Sequence, residues 1–268
     1  MGLTVRWAVG SPKKRPLPGK ARRIFAASLM GAKRLWPEAR LVAQVNLGPS
    51  EQRSWLFGLC DRLGVESVDG LKIRAEAGEV AKFGLFYGGR GPWWKFVPPR
   101  FSPDDHELTL DSDLVLWKEP PAIEAWRRDP DAGMLGHANV GPRVPGQHWQ
   151  FRGLFEDLIP KDLDLNSGLY GYGPGQPFNP PLARSSLPEG FTGLRSHQGY
   201  VGLSFFRAGT HRVSFDEVLL PLTEEEMESI RRPEVCGVHF ITHAYEDRDL
   251  WSGFEDVVMG RLNDIPLG

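Results

Sequence analysis

The sequence predicts an α/β fold: a single domain built on a mostly parallel, Rossmann-like sheet flanked by helices. Three observations support this. Strand-like and helix-like periodicities alternate from Thr4 to Val68, the crossovers between strand-like runs are long enough to hold helices, and no composition break marks off a second unit. With 268 residues, 41% of them hydrophobic, the chain has the material for one large core.

The elements follow in order. Thr4 to Val9 reads as a strand that ends at Gly10-Ser11-Pro12, and Ala21 to Leu35 places Ile24, Phe25, Leu29 and Leu35 at helical spacing before Trp36-Pro37 closes the segment. Arg40 to Asn46 is a second strand, Ser50 caps a helix over Glu51 to Leu63, and Val65 to Val68 is a third strand. A β-α-β-α-β order predicts a ligand crevice outside the carboxyl ends of the strands. The loop from Gly10 to Lys20 lies at such an end. Its Lys13, Lys14, Arg15 and Lys20 read either as a cover for a phosphate or as a solvated basic loop.

Further on, Gly88 to Pro92 breaks periodicity ahead of a helical turn at Trp93-Trp94-Lys95-Phe96. Glu107 to Trp117 is an apolar strand interrupted by two acids and then resumed, followed by Pro120-Pro121 and a helix over Ile123 to Arg128. Gly141 to Pro188 is rich in Gly, Pro and aromatic residues, and Asn166 to Gly175 carries the signature of a compact loop. The last third reads as a helix from Gly199 to Phe206 and a short strand near Val213. After these come an acidic turn and helix from Thr223 to Ile230, a strand from Gly237 to Ile241 and a helix from Phe254 to Leu262.

Charge and composition narrow the function. A net charge of -2, from 32 basic and 34 acidic residues, provides no global field for nucleic acid, so an anionic ligand must be held by local charges. Cys60 and Cys236 stand in separate apolar settings without metal-ligand spacing, which argues against a disulfide framework or a structural zinc site. The start, Met1 to Val9, enters a strand without the regions of a signal peptide, and no segment approaches the ~18 consecutive apolar residues of a membrane span. The expectation is a cytoplasmic protein, with docking on a membrane surface left open; oligomeric state is not legible.

Two carboxylates one residue apart inside an apolar strand are costly to bury, so Asp111 and Asp113 must meet a positive charge or reach the crevice. Mg²⁺ or Mn²⁺ satisfies that need, because hard divalent ions take one or two carboxylates together with substrate phosphates. A strand end or a turn is the competing reading of Asp-x-Asp. Lys95, among aromatic residues, either reaches toward a diphosphate or lays its stem over the core. Glu156-Asp157 and Glu255-Asp256 read as general-base candidates or as helix-terminal pairs.

Asp111-Ser112-Asp113, with apolar residues 108 to 110 before it and 114 to 116 after it, resembles the DxD signature of GT-A glycosyltransferases. Three more segments agree with that family. Asn166-Ser167-Gly168 resembles its Asn-x-Gly segment in the glycogenin and galactosyltransferase group. His197-Gln198-Gly199 is similar to the Asp-Gln-Gly stretch that begins a helix, and Val238-His239-Phe240 to the late strand that brings a metal-binding histidine. There are two departures: His197 replaces the usual Asp, and His239-Phe240-Ile241-Thr242-His243 replaces His-x-x-Gly-x-x-Lys-Pro-Trp.

The resemblance implies a GT-A fold over residues 1–268, with 1–117 binding a nucleotide sugar and 118–268 forming the acceptor side. It implies Mn²⁺ or Mg²⁺ held by Asp113 directly, by Asp111 (or Asp111 on the ribose) and by His239, with His243 its rival and either histidine structural otherwise, so that Asp111-Ser112-Asp113 grips the diphosphate. Val9 and Gly10 would then underlie the base or ribose, Lys95 would meet the diphosphate or donor sugar, and Gln198 would belong to the same donor set. Asn166, Ser167 and Gly168 would face the sugar, or else form a turn. The activity implied is transfer of a sugar, a hexose above all, to a hydroxyl acceptor on a saccharide, lipid or small molecule, with retention. Two alternatives stand beside it. One is a nucleotidyltransferase, whose Gly-rich basic loop Gly10 to Lys20 does not match, and the other is a non-catalytic carbohydrate-binding protein of the same fold.

Overall fold

The alternation at the start of the chain forms as the periodicity predicts. In the computed structural model, which describes residues 2–10, 17–70, 72–73, 95–96, 98, 100–140, 163–176, 196–221, 223–241 and 249–265 (backbone only at 140 and 196–200), Leu3–Val9 (β1), Arg40–Val45 (β2) and Glu66–Asp69 (β3) are connected by Gly19–Leu35 (α1) and Glu51–Leu63 (α2). Ser50 caps α2 by accepting from the Arg53 amide at 3.2 Å, and Gly64, left-handed at φ 65°, ends it. Pro18 precedes α1, and Lys33 and Arg34 in its last turn complement the carboxyl end of the helix dipole.

The interrupted strand divides into His106–Leu110 (β4) and Leu114–Leu116 (β5), and Pro121–Arg128 (α3) follows with proline in its first turn. After Met134–Val140 (β6) and Leu163–Tyr172 (β7) come Ser196–Ala208 (α4), Gly209–Val213 (β8) and Val218–Leu219 (β9). Glu224–Glu228 (α5), a 3-10 turn over Ser229–Arg231, Gly237–His239 (β10) and Leu250–Asn263 (α6) complete the described elements. The large sheet has the order β3-β2-β1-β4-β7-β6-β8, and a small one the order β5-β10-β9. Strands β3, β2, β1 and β4 run parallel, β7 is antiparallel to both β4 and β6, and β8 is parallel to β6.

One finding corrects the sequence reading. Asn166 to Gly175 reads as a loop, yet through Tyr172 it is a central strand. Its glycines are there for close packing and not for turning: a Cβ at Gly171 would lie 2.7 Å from the Trp126 ring, and one at Gly168 would lie 2.1 Å from the His239 ring. Strand β6 was not foreseen, because Gly136 and His137 break its apolar run.

Alternation along the strands gives the large sheet two unlike faces. Val5, Trp7 and Val9 join Leu41, Ala43, Val45, Phe25 and Leu29 in an apolar core beneath α1 and α2. A second cluster, under the small sheet, draws Ala21, Ile24 and Ala27 of α1 against Trp251, Phe254 and Val258 of α6. Helix α1 thus serves both cores. The other face of the large sheet is polar and buried. Arg6 pairs with Glu107 at 3.0 Å and donates to the Pro98 carbonyl and to Gln44 Oε1, while Glu107 Oε2 accepts from the Phe101 and Ser102 amides. That network anchors the segment just after Lys95 onto the sheet. Burial pushes both Cys60 and Cys236 up to about 11, which keeps these free thiols protonated and inert. No helix among the described residues is long and apolar enough to cross a membrane.

His137 on β6 gives a pH dependence. Its Nε2–H donates to the Val218 carbonyl at 2.8 Å, and burial, reinforced by nearby His239, pushes its pKa down to about 3. An unfolded histidine takes up its proton near pH 6.5, so acid favours unfolding: stability is intact above that pH and is lost as pH falls toward 3. Urea unfolding should show a loss of about 2 kcal/mol between pH 6.5 and 5 that is absent from His137→Gln relative to its own value at pH 6.5.

Candidate functional site

Asp111 and Asp113 stand where the chain leaves one sheet for the other. The Leu114 amide donates to the Asp111 carbonyl at 3.1 Å, so Asp111 to Leu114 is a tight turn between β4 and β5. Each acid is tied to a different sheet. The Asp111 amide donates to the Gly168 carbonyl of β7 at 2.7 Å, and the Asp113 carbonyl accepts from the Phe240 amide, just after β10, at 2.9 Å. The interruption in the strand is therefore a change of sheet, and the two carboxylates lie at the seam. Ser112, half-buried, is the middle of the turn.

His239, at the end of β10, is opposite Leu114 in register. Its Nε2 lies 3.1 Å from Asp113 Oδ1 and 3.7 Å from Asp111 Oδ2. The proton on this ring can be placed by its neighbours. The Gly168 amide can only donate, so the Asn166 atom 2.7 Å from it is the carbonyl oxygen Oδ1; that same oxygen is 3.1 Å from His239 Nδ1, which must therefore carry the ring proton in the neutral form. The Nε2 lone pair is left facing two carboxylates. In that form three acceptors face one another, a repulsion relieved by a proton shared between Nε2 and Asp113 or by a metal ion between all three, whose ligand atoms lie within 4.8 Å of one another. Ligand atoms about 2.1 Å from an octahedral ion stand about 3 to 4.2 Å apart, so small side-chain adjustments fit these residues to a divalent ion. A neutral imidazole and two carboxylates are a mixed donor set, one borderline nitrogen with hard oxygens, and the hydrogen bond from Nδ1 to Asn166 is the outer support such a ligand needs.

Lys95 reaches Asp111 from the polar face. Its ammonium, 3% exposed, donates to Asp111 Oδ1 at 2.5 Å and to the Ser167 carbonyl at 2.9 Å. Trp7 is level with Leu110, so Val9 and Gly10 lie at the same end of the sheet as Asp111. The Val9 carbonyl accepts from the Asn46 amide, and Gly10 has a left-handed φ of 90°.

The structure thus brings Asp111, Asp113, His239, Lys95, Asn166, Ser167 and Gly168 together. Asn166 and Ser167 are buried, one engaged with His239 through its side chain and the other with Lys95 through its carbonyl. Gln198 lies in the first turn of α4, its side chain outside the described residues, as are His243, Lys13, Lys14, Arg15 and the pair Glu156-Asp157. Glu255 pairs with Arg23 at 3.2 Å on the surface. Sequence reasoning overlooked the steric part of Gly168; the nearest signal was its spacing two residues after an asparagine in a strand.

No protein-family model matches the sequence, and no curated protein does. Solved structures do resemble the fold. A galactosyltransferase, LgtC, determined with donor and acceptor sugar analogs, superposes with a TM-score of 0.51 at 10% identity, over 98% of this chain and 96% of its own. The bifunctional glycosyltransferase WbbM gives 0.56 at 10% identity over 99% of this chain, which spans 50% of WbbM. The glycosyltransferase GlyE of Streptococcus pneumoniae gives 0.51 at 12% identity, over 98% of this chain and 63% of GlyE. The fold is the GT-A fold of these enzymes.

Proposed function

We propose that this GT-A chain is a divalent-metal-dependent glycosyltransferase that moves a sugar, a hexose in the first instance, from a nucleoside diphosphate sugar to a hydroxyl acceptor with retention. The observation that carries the reading is the position of His239 Nε2, held by Asn166 toward Asp111 and Asp113 at the carboxyl end of β4. The resemblance of the same segments to the group with a late metal histidine supports retention and a nucleotide-sugar donor.

Asp111, Asp113 and His239 would hold the ion, which when bound neutralises charge developing on the diphosphate leaving group. Lys95 would add a fixed positive charge on the same side, and its burial makes that charge stronger than it would be in water. Asn166 keeps His239 in one tautomer and orientation, so the site requires little reorganisation when the donor arrives. Val9 and Gly10 would pass under the base or ribose, with 1–117 supplying the nucleotide side and 118–268 the acceptor side.

Calorimetry with a panel of nucleoside diphosphates tests the reading. Wild type should bind at least one of them at least tenfold tighter with Mn²⁺ than without, and Asp113→Asn should lose that difference. Binding to none, or binding indifferent to both Mn²⁺ and Asp113, would refute it. A donor hydrolysed only in the presence of metal would identify the sugar.

A further inference from the structure

We infer that Lys95 couples cation binding to diphosphate binding, disfavouring the bare ion and favouring the ion that arrives with its anion. The inference rests on the reading of the site given above. It begins from a count of charge. Asp111 and Asp113 together carry two negative charges, which a divalent ion alone would cancel. Lys95 places an ammonium 2.5 Å from Asp111 Oδ1, so the described side chains carry one net negative charge around a neutral His239. A divalent ion then gives the site one net positive charge, and that excess attracts a diphosphate.

The position of Lys95 makes this coupling local. Its ammonium is buried, and a buried cation needs a counter-charge. Asp111 Oδ1 supplies it, which leaves Oδ2, on the His239 side, for the metal. One carboxylate thus serves two cations through its two oxygens, and these repel each other across it. The ammonium cannot readily withdraw, because the Ser167 carbonyl holds it from β7 at 2.9 Å and the Tyr170 ring centroid lies 6.0 Å away. The segment after it is pinned to the sheet by the bonds of Arg6 and Glu107 to Pro98, Phe101 and Ser102. Lys95 therefore stays in place as a fixed charge that both the ion and the diphosphate must meet.

The test uses the full chain, with Mn²⁺ alone and with inorganic pyrophosphate as probes. Lys95→Met, which keeps the stem and removes the charge, should bind Mn²⁺ alone about tenfold or more tighter than wild type. On the Mn²⁺-loaded protein it should bind pyrophosphate about tenfold weaker. Lys95→Arg should stay within about threefold of wild type in both titrations, and Lys95→Gln replaces Lys95→Met if the latter does not fold. Mn²⁺ affinity unchanged or weakened in a folded, uncharged variant overturns the coupling while leaving the metal site standing. Failure of wild type and variants alike to bind Mn²⁺ overturns the metal reading itself.

Discussion

Gly168→Ala should weaken cation-dependent binding of a nucleoside diphosphate about a hundredfold or more, although glycine offers no ligand atom. A methyl group at this position would lie 2.1 Å from His239 Cε1, 2.5 Å from Nδ1 and 2.7 Å from Asn166 Oδ1, inside any tolerable contact. The backbone at Gly168 has little room to yield, because its carbonyl holds the Asp111 amide and its own amide is bound to Asn166. The His239 ring must therefore leave, taking Nε2 away from both carboxylates. Losing the support of a ligand typically costs 10- to 100-fold in metal affinity, and displacing the ligand itself should reach or exceed the upper figure. Calorimetry with Mn²⁺ measures it. The double variant Gly168→Ala/His239→Ala should be no worse than His239→Ala alone, since both changes remove the same ligand. An affinity within threefold of wild type for Gly168→Ala, with the fold intact by circular dichroism, would show that His239 is not a ligand.

Arg6→Met should cost about 3 to 5 kcal/mol of stability, read as a shift in the urea midpoint. Both partners of the Arg6–Glu107 pair are 1% exposed, so removing the arginine strands a buried carboxylate whose remaining hydrogen-bond donors, among the described residues, are two amides. The double variant Arg6→Met/Glu107→Leu should regain part of that loss, because two apolar side chains bury without a desolvation penalty. The recovery is incomplete: Glu107 also receives the Phe101 and Ser102 amides, and those donors would be left short.

The opening β-α-β-α-β unit was legible because caps and periodicity agree there: Ser50 and Glu51 to Leu63 stand where the spacing puts them. The acids were also legible, since a carboxylate inside an apolar strand is costly enough to demand an explanation, and His239 was legible through the resemblance of its strand to the late histidine strand of GT-A enzymes. What the acids were doing to the backbone was not. That Asp111 to Leu114 is a turn between sheets depends on β10 pairing with β5, a contact between residues more than a hundred positions apart. Strand β7 was misread for a related reason: Gly168 and Gly171 are turn residues by local preference and strand residues only because His239 and Trp126 come to occupy the space. The Arg6–Glu107 pair left a trace in the sequence, one opposite charge in each of two apolar runs, which pairing of β1 with β4 turns into a contact.

The turn at Asp111 to Leu114 bears on how the chain could be divided. Residues 1–117 contain β5 but not β10, its neighbour, and they contain β4 but not β7. A fragment ending there would expose two unpaired strand edges and retain two carboxylates without their histidine. The proposed division into donor and acceptor halves is thus a division of labour, not of folding. Recombining either half with that of another enzyme would have to carry the seam along with it, so new specificity is more readily gained by exchanging loops than by exchanging halves.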